Sequence, residues 1–367
     1  RYKFFPVKRI PLATGTAAWR VGFLWKLGAH RRNSIFSNGE VKFLNVQGSV
    51  NSLTWEDPKF AKLWLYNLHY FDDFSSNFPS KNIDNQRHFL SSWLNENKLG
   101  VGTGWEPYPV SLRAVNLVKW ALANKADSVE MATLIEQHAS SLMQNLEYHI
   151  LGNHLFANAK ALIFCGIAID SEIGNKALNV GVKILRKELK EQFLPDGGHF
   201  ERSPMYHAIL MWDLLDLKYL SQNSLGNILA DVEEELDPII TRGLGYLESM
   251  SHGDGEVSFF NDSAFGIASN LFDIKEYAKD LGFAPSYNRG SSQYPDSGYS
   301  VLCRSSYKLI VDHGPLGPNY LPGHGHADSL SFELSLGKHR VFVNTGTSVY
   351  AESPLRAYQR STKAHNT

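Results

Sequence analysis

The sequence predicts an α+β multidomain chain in which a long all-helical region precedes an antiparallel β domain. Three observations carry this. Apolar residues recur at three- and four-residue spacing through most of positions 56–283, the mark of amphipathic helices. After Gly282 the period drops to two, as in half-buried strands. The 367 residues exceed one ordinary domain of ~150, and 43% hydrophobic against 20% charged composition allows sizeable cores and excludes wholesale disorder.

Residues 1–55 read as an irregular lead-in, with one or two short strands where polar and apolar positions alternate over 36–53, interrupted by Gly39 and Gly48. The helical region, 56–283, holds candidate helices at 60–74, 85–97, 110–124, 128–150, 155–169, 173–193, 205–220, 228–250 and 263–281. In 128–150, Met131, Leu134, Ile135, Leu142, Leu146 and Ile150 form one apolar stripe. Compact Gly-, Pro- and Asn-containing loops at 100–104, 195–198 and 253–255 join short helices, which points to a toroid or solenoid; the residues themselves carry no TPR or HEAT repeat. A Pro/Gly/Ser/Asn-rich linker follows at 284–298, then strands at 299–304, 307–312, 329–336 and 340–344. Leu330, Phe332, Leu334 and Leu336 alternate in the third. The β domain, 299–367, stops without a closing strand, which would leave an edge exposed; the chain is expected to be a fragment of a longer protein.

Thirty-six basic and 37 acidic residues give a net charge of −1, against the basic excess of a duplex nucleic-acid binder. Two cysteines, Cys165 and Cys303, exclude a disulfide scaffold and a Cys-based zinc cluster. No apolar run reaches the ~18 residues of a transmembrane span. The numbering begins at Arg1, so a removed leader stays open. Aromatics are 12% of the chain; they fill cores, and they also offer flat apolar faces with polar edges to sugars.

Four clusters could carry chemistry. Gly152-Asn153-His154 joins two predicted helices, where Asn and Gly also serve as plain helix ends. His199, Glu201, Arg202, Tyr206 and His207 crowd one helix start; Ser203 and Pro204 are explained as cap and first turn, the others are not. His324 and His326 flank Gly325 ahead of a strand, with Asp328 beyond. His-x-His invites a metal reading, and an exposed loop pair is the plain alternative. Arg356, Tyr358, Arg360, His365 and Asn366 could grip an anion or form a solvated edge.

Read together, these stretches resemble the heparinase II/III-like polysaccharide lyases. The resemblance rests on Trp64 to Phe71, Gly104 to Pro109 with Ser111 and Arg113, Gly152 to Leu155, Gly197 to Glu201 through Tyr206, Phe260 to Ser263, Gly323 to Asp328 with Ser331 and Phe332, and Arg360 to Thr367, in the family's order. It implies an incomplete (α/α) toroid followed by an antiparallel β-sandwich, the latter truncated at the C-terminus here, with a cleft between them. It also implies cleavage of a uronic-acid-containing polysaccharide (glycosaminoglycan, alginate or bacterial exopolysaccharide) by β-elimination. That chemistry needs a neutralised carboxylate, a base for the C5 proton and an acid for the leaving O4, and no paired hydrolytic carboxylates.

Carried over position by position, the resemblance makes Asn153 the carboxylate holder, with His154 assisting or acting as base. Tyr206 becomes the acid, and for substrates of one C5 configuration the base as well, its ionisation helped by positive charge from Arg202, His207 or His199. His326 becomes the cleft-facing histidine of the β domain, neutralising the carboxylate or abstracting the proton, with His324 the weaker alternative. Trp105, Glu106, Tyr108, Arg113, His199, Glu201, Arg202, His324, Arg360 and His365 become substrate contacts. No cofactor is required, though a structural divalent metal on Asp328, Asn344 and His365 is an option weakened by the amide of Asn344, a poorer ligand than a carboxylate. Trp64, Tyr66 and His69 read as core or cleft wall, and Asn261-Asp262 as a structural turn, with a place at the border of the cleft as the alternative. The expected partner is an anionic polysaccharide, and the expected location is periplasmic, cell-envelope or secreted. A non-catalytic glycan binder on the same scaffold is the main alternative. A metal-dependent hydrolase using His324, His326 and Asp328 is a third, disfavoured because barrel hydrolases need strand–helix alternation.

Overall fold

The computed structural model describes residues 17–26, 34–36, 39–44, 46–49, 55–75, 83–224, 229–284, 290–320 and 322–367. The parts of the expected lead-in, linker and helix 228–250 that fall elsewhere lie outside the described residues. Two compact units emerge: the described residues up to Leu185 with Asn223 and Ser224, and Arg186–Gln222 with the described residues from Leu229 onward.

In the first unit β1 (Ala18–Trp19) precedes a hairpin of β2 (Glu40–Phe43) and β3 (Val46–Ser49), then α1 (Lys62–Tyr70), α2 (Ile83–Glu96), α3 (Pro107–Asn124), α4 (Val129–Gln144) and α5 (Gly152–Ala168). A two-residue β4 (Ile169–Asp170) pairs antiparallel with β1, a ladder too short to register in sequence. Helix α6 (Glu172–Gln192) runs from this unit into the next.

Helix starts follow local chemistry. Pro107 opens α3 at a position where the missing N–H costs nothing. The Ser128 hydroxyl accepts from Met131 N at the head of α4. Two predicted helices end early. Residues 60–74 break at Phe71, in the left-handed region at φ 60°, and resume as a 3-10 turn at Asp72–Ser75, where Asp73 accepts from Ser34 N and Ile35 N. Helix α4 stops at Gln144 instead of 150, because Glu147 turns inward and its backbone N donates to Asn158 Oδ1 (2.9 Å).

In the second unit α7 (Pro204–Asn223), α8 (Ala230–Met250) and α9 (Leu271–Asp280) lead to β5 (Ser292–Tyr294), β6 (Tyr299–Cys303), β7 (Tyr307–Asp312), β8 (Phe332–Leu336), β9 (His339–Phe342) and a short α10 (Pro354–Gln359). Helix α9 begins eight residues later than expected, where Asn270 caps it by accepting from Asp273 N. The strands form one antiparallel sheet in the order β5-β6-β7-β8-β9. The sheet starts inside what the sequence suggests is linker, and it shares a unit with α7–α9. Its buried face packs Tyr299, Val301 and Ile310 against Tyr246 and Met250 of α8 and Phe260.

Register puts Leu302, Leu309, Leu334 and Phe342 side by side on the opposite face, where Leu302 and Phe342 are exposed. A sheet with two apolar faces is built to be covered on both, as half of a sandwich is. Among the described residues no second sheet covers it.

Asp312 closes β7 under this architecture. Burial pushes its carboxyl up to about 7, with Asp328 adding to the rise while the Gly314 N–H opposes it. A folded-state value above the unfolded one means the protonated form is favoured in the fold. Its cost is absent in acid, grows as pH rises through the ordinary carboxylate range, and levels off above about 7. Asp312→Asn is therefore expected to raise stability by roughly 1–3 kcal/mol at pH 8 and by much less at pH 4, measured by denaturant unfolding at both pH values; equal gains at the two would contradict it.

Candidate active site

The second unit gathers a set of polar rings over a buried ion pair. Tyr206 sits in the first turn of α7, where its backbone N donates to Ser203 Oγ (3.3 Å) and that hydroxyl donates to the Asp262 carbonyl (2.6 Å). The Tyr206 ring lies on the His324 imidazole, centroids 4.1 Å apart at 32°. His324 Nδ1 is 2.9 Å from Asp262 Oδ2, and its Nε2 is 3.4 Å from Glu201 Oε2. The phenols of Tyr206 and Tyr350 are 3.4 Å apart, and the Arg356 guanidinium sits 5.3 Å from the Tyr350 ring centre. Tyr206, His324 and Tyr350 are all partly exposed.

Asp262 is the hub. Its carboxylate takes both terminal nitrogens of Arg356, Nη2 at 2.8 Å from Oδ2, the Thr347 hydroxyl (2.9 Å), His324 and His326 Nε2 (2.9 Å). Burial alone would raise its pKa, but hydrogen bonds from His324, His326 and Arg356 hold it well below the usual carboxylate range. The neighbouring Asn261, at φ 56°, links two segments: its Nδ2 donates to Arg202 O (2.9 Å) and its Oδ1 accepts from His326 N (3.1 Å). What reads in sequence as a turn is the anchor of the cluster.

His326 does not face outward as expected. Its side chain is 1% exposed, with Nε2 on Asp262 and Nδ1 3.1 Å from His365 Nε2, while His365 Nδ1 donates to Ser361 O (2.8 Å). With an acceptor at each end, three hydrogen bonds in series need three ring protons on two imidazoles. Burial disfavours a charged His365. Both nitrogens being committed, His326 is a structural member, and His324 takes the place against Tyr206.

The suggested charge sources for Tyr206 are also corrected. Burial pushes His207 down to about 4 and His199 well below its ordinary value, so both stay neutral. His199 is buried with Nε2 on Gln192 Oε1 (3.0 Å), and is no substrate contact. Arg202 donates from all three of its nitrogens to backbone carbonyls of Ser297, Pro315 and Asp296. Arg360 gives Nε and Nη2 to Gly325 O. Each locks a loop. The cation beside the phenols is Arg356.

The metal set does not fit. Asn344 Oδ1 accepts from Asn366 N (3.0 Å) and its Nδ2 donates to Ser331 Oγ (3.4 Å). Both His365 nitrogens are engaged, as above. Of the three side chains, Asp328 alone keeps an oxygen, Oδ2, without a hydrogen bond. Among the described residues no three His, Cys, Asp or Glu side chains assemble as metal ligands, and no chemistry below passes through a metal.

In the first unit, Asn153 and His154 lie in the first turn of α5. The preceding Leu151 is held at φ 65°, ψ −156°, a conformation normally left to glycine. His154 Nδ1 meets Glu147 Oε1 at 2.9 Å. The other oxygen of Glu147 accepts from Asn158 Nδ2 (2.9 Å), which also donates to Ser111 Oγ (3.0 Å). Tyr108 lies over the His154 ring at 4.3 Å. Glu106, partly exposed, accepts from Tyr66 and pairs with Lys62 Nζ (2.9 Å). Glu147 was absent from the sequence-based candidates; a glutamate seven positions before a histidine, across a loop, gives no periodic signal. Trp105 and Arg113 depart from expectation too. Trp105 is 7% exposed and Arg113 fully buried, so both belong to the core.

Known proteins agree with this fold. Residues 40–285 match the family described as Heparinase II/III N-terminus, and 287–367 the one described as Heparinase II/III-like, C-terminal. A heparin-sulfate lyase of Pedobacter heparinus is 24% identical over 348 residues, covering 85% of this chain and 48% of that protein. The FtsZ-localized protein C of Caulobacter vibrioides is 25% identical over 268 residues, covering 72% and 44%. The crystal structure of heparinase III superimposes with a TM-score of 0.67 at 21% identity, over 87% of this chain and 57% of that one. The chain spans about half the length of the curated relatives it matches. The toroid-plus-sandwich fold class stands, and with both family descriptions matched across most of its length, the chain belongs to the heparinase II/III-like family.

Proposed function

We propose that this chain is the catalytic part of a polysaccharide lyase that cleaves a uronate-containing polymer by β-elimination. The observation that carries the reading is the Tyr206 phenol stacked on an imidazole whose Nδ1 is fixed by a buried carboxylate. With Nδ1 held by Asp262, Nε2 of His324, which lies 3.4 Å from Glu201 Oε2, takes the C5 proton, while Tyr206 gives its proton to the departing O4. The C5–H electrons form the C4–C5 double bond as the C4–O bond breaks. A proton returned from His324 to Tyr206, directly or through solvent, resets the site.

The arginines bear on the substrate. Arg202 has all three nitrogens on carbonyls, Arg356 both terminal nitrogens on Asp262, and Arg360 its Nε and Nη2 on Gly325 O, so none of the three presents an open terminal fork for the bidentate grip that suits a sulfate. This favours polymers whose charge is mainly carboxylate. An extracytoplasmic location follows from such a substrate; among the described residues no helix is long and apolar enough to cross a membrane.

A screen of uronate polymers with and without sulfate, followed by ultraviolet absorbance, tests the reading. A 4,5-unsaturated product is expected, most rapidly from unsulfated polymer, and Tyr206→Phe should fold normally and lose at least ~100-fold in kcat. New reducing ends without the chromophore would mean hydrolysis, and wild-type turnover in the variant would remove Tyr206 from the mechanism. A binding role on the same scaffold is the second reading; retention of polymer without any product would select it.

A further inference from the structure

Tyr350 lies outside every motif that points to the family, yet the fold brings its hydroxyl to within 3.4 Å of Tyr206 across 144 residues of sequence. It follows Thr347, which donates to Asp262, and its ring lies beside Arg356, whose own nitrogens are fixed on Asp262. A tyrosine with no role beyond packing has no need to aim its hydroxyl at a second phenol, or to place its ring against a guanidinium that a carboxylate holds still.

Resting on the lyase reading above, we propose that Tyr350 is a positioning residue for the Tyr206 phenol, its O–H serving as the donor that stabilises the Tyr206 oxygen when that oxygen gives up its proton. The groups around Tyr206 divide in sign. Arg356 is the cation nearby, His324 covers the ring, and the carboxylates of Asp262 and Glu201 lie beyond the imidazole. The two carboxylates oppose a phenolate, so a donor at the oxygen has work to do. Tyr350 suits that task because it keeps its own proton: burial pushes its phenol up to about 12, even though the hydrogen bond with Tyr206 and the charge of Arg356 pull the other way.

The sequence of proton positions is conservative. Tyr206 breaks its O–H bond and the proton goes to the leaving glycosidic oxygen. The negative charge left on Tyr206 is met by the Tyr350 O–H, now donating toward it, and is cancelled when the proton taken from C5 is returned. Tyr350 ends each turnover as it began. The 3.4 Å separation is long for a phenol–phenol hydrogen bond, and such contacts commonly tighten when charge develops.

The test is Tyr350→Phe in the full chain, which keeps the ring against Arg356 and removes only the oxygen. Expected are a melting temperature close to wild type, a fall in kcat of about 10- to 100-fold with KM nearly unchanged, and an alkaline limb of the kcat profile displaced upward by about one pH unit. Tyrosinate absorbance in a pH titration should change in Tyr350→Phe by more than the loss of one phenol, because the Tyr206 oxygen loses its donor. Wild-type kcat and an unmoved limb in a folded Tyr350→Phe protein, beside an inactive Tyr206→Phe, would overturn this proposal and leave the lyase reading intact. Full activity in Tyr206→Phe would overturn both. If neither variant nor wild type turns over any polymer, a tyrosinate titration in Tyr350→Phe that loses one phenol and nothing more would still refute the phenol–phenol coupling.

Discussion

Asp262→Ala is expected to abolish turnover and to cost about 3–5 kcal/mol of stability, the range for breaking a buried ion pair from one side. Both effects have the same origin. The carboxylate is 1% exposed and holds Arg356, which is itself 10% exposed; without it a guanidinium stays buried with no counter-charge. The same deletion frees His324 Nδ1 and His326 Nε2, so the imidazole under Tyr206 loses the partner that fixes its tautomer and tilt.

The two effects can be separated. In Asp262→Ala combined with Arg356→Met the orphaned cation is gone, and most of the stability should return while activity should not. The pH dependence has a definite sign. The folded-state pKa lies below the unfolded value, so the stabilisation is complete above about pH 4. It is lost only as pH falls further, through the folded value. Wild type and Asp262→Ala should accordingly differ fully at pH 7 and converge in strong acid. Chemical unfolding at several pH values measures the gap, and turnover in a stable double variant would show that Asp262 merely holds the fold.

The part of this site that sequence reveals is the part built from neighbours in the chain. Tyr206 in a first helical turn and the His324–His326 pair are visible because each lies in a short string. The alternation of Phe332, Leu334 and Leu336 gives β8 for the same reason. Which of two histidines faces outward is a different matter. Gly325 between them leaves the backbone direction unset, and only the Asn261 bridge to His326 N decides it. Asp262 and Arg356 stand in short strings that the sequence picks out, but their roles are set by partners 62 and 94 residues away, and Tyr350, 144 residues from Tyr206, stands in none. The arginines misled for a physical reason. A guanidinium is expected at the surface, yet Arg202 and Arg360 use theirs as multi-pronged ties for loop carbonyls, a role that composition does not show.

Arg113 is the extreme case, and its replacement carries the other large effect. At 0% exposure its Nε donates to His138 Nε2 (2.9 Å), Nη1 to His69 O (3.1 Å) and Nη2 to Gly104 O (2.7 Å). Its planar head lies 4.1 Å from the centre of one Trp93 ring. The histidines are neutral of necessity. His138 accepts at Nε2, so its proton is on Nδ1, which donates to Leu134 O (2.7 Å). His69 accepts from Trp93 Nε1 at Nδ1 (3.0 Å) and donates from Nε2 to Trp55 O (3.2 Å). Burial, and then the charge of Arg113, push His69 down to about 3 and His138 well below its ordinary value.

Arg113→Lys keeps the charge but cannot span three partners on one plane, and Arg113→Met leaves a histidine lone pair and two carbonyls without donors. Each should cost about 3–5 kcal/mol and lower the melting temperature without altering KM in the protein that remains folded. A normal melting temperature with a raised KM would instead restore the substrate-contact role that the sequence suggests. The same network also sets an acid limit. Histidines kept neutral by the fold support it fully above about pH 6.5, and that support drains away as pH falls from there toward their depressed folded values. Wild-type protein should therefore lose stability between about pH 6 and pH 3, the opposite slope to that of Asp312.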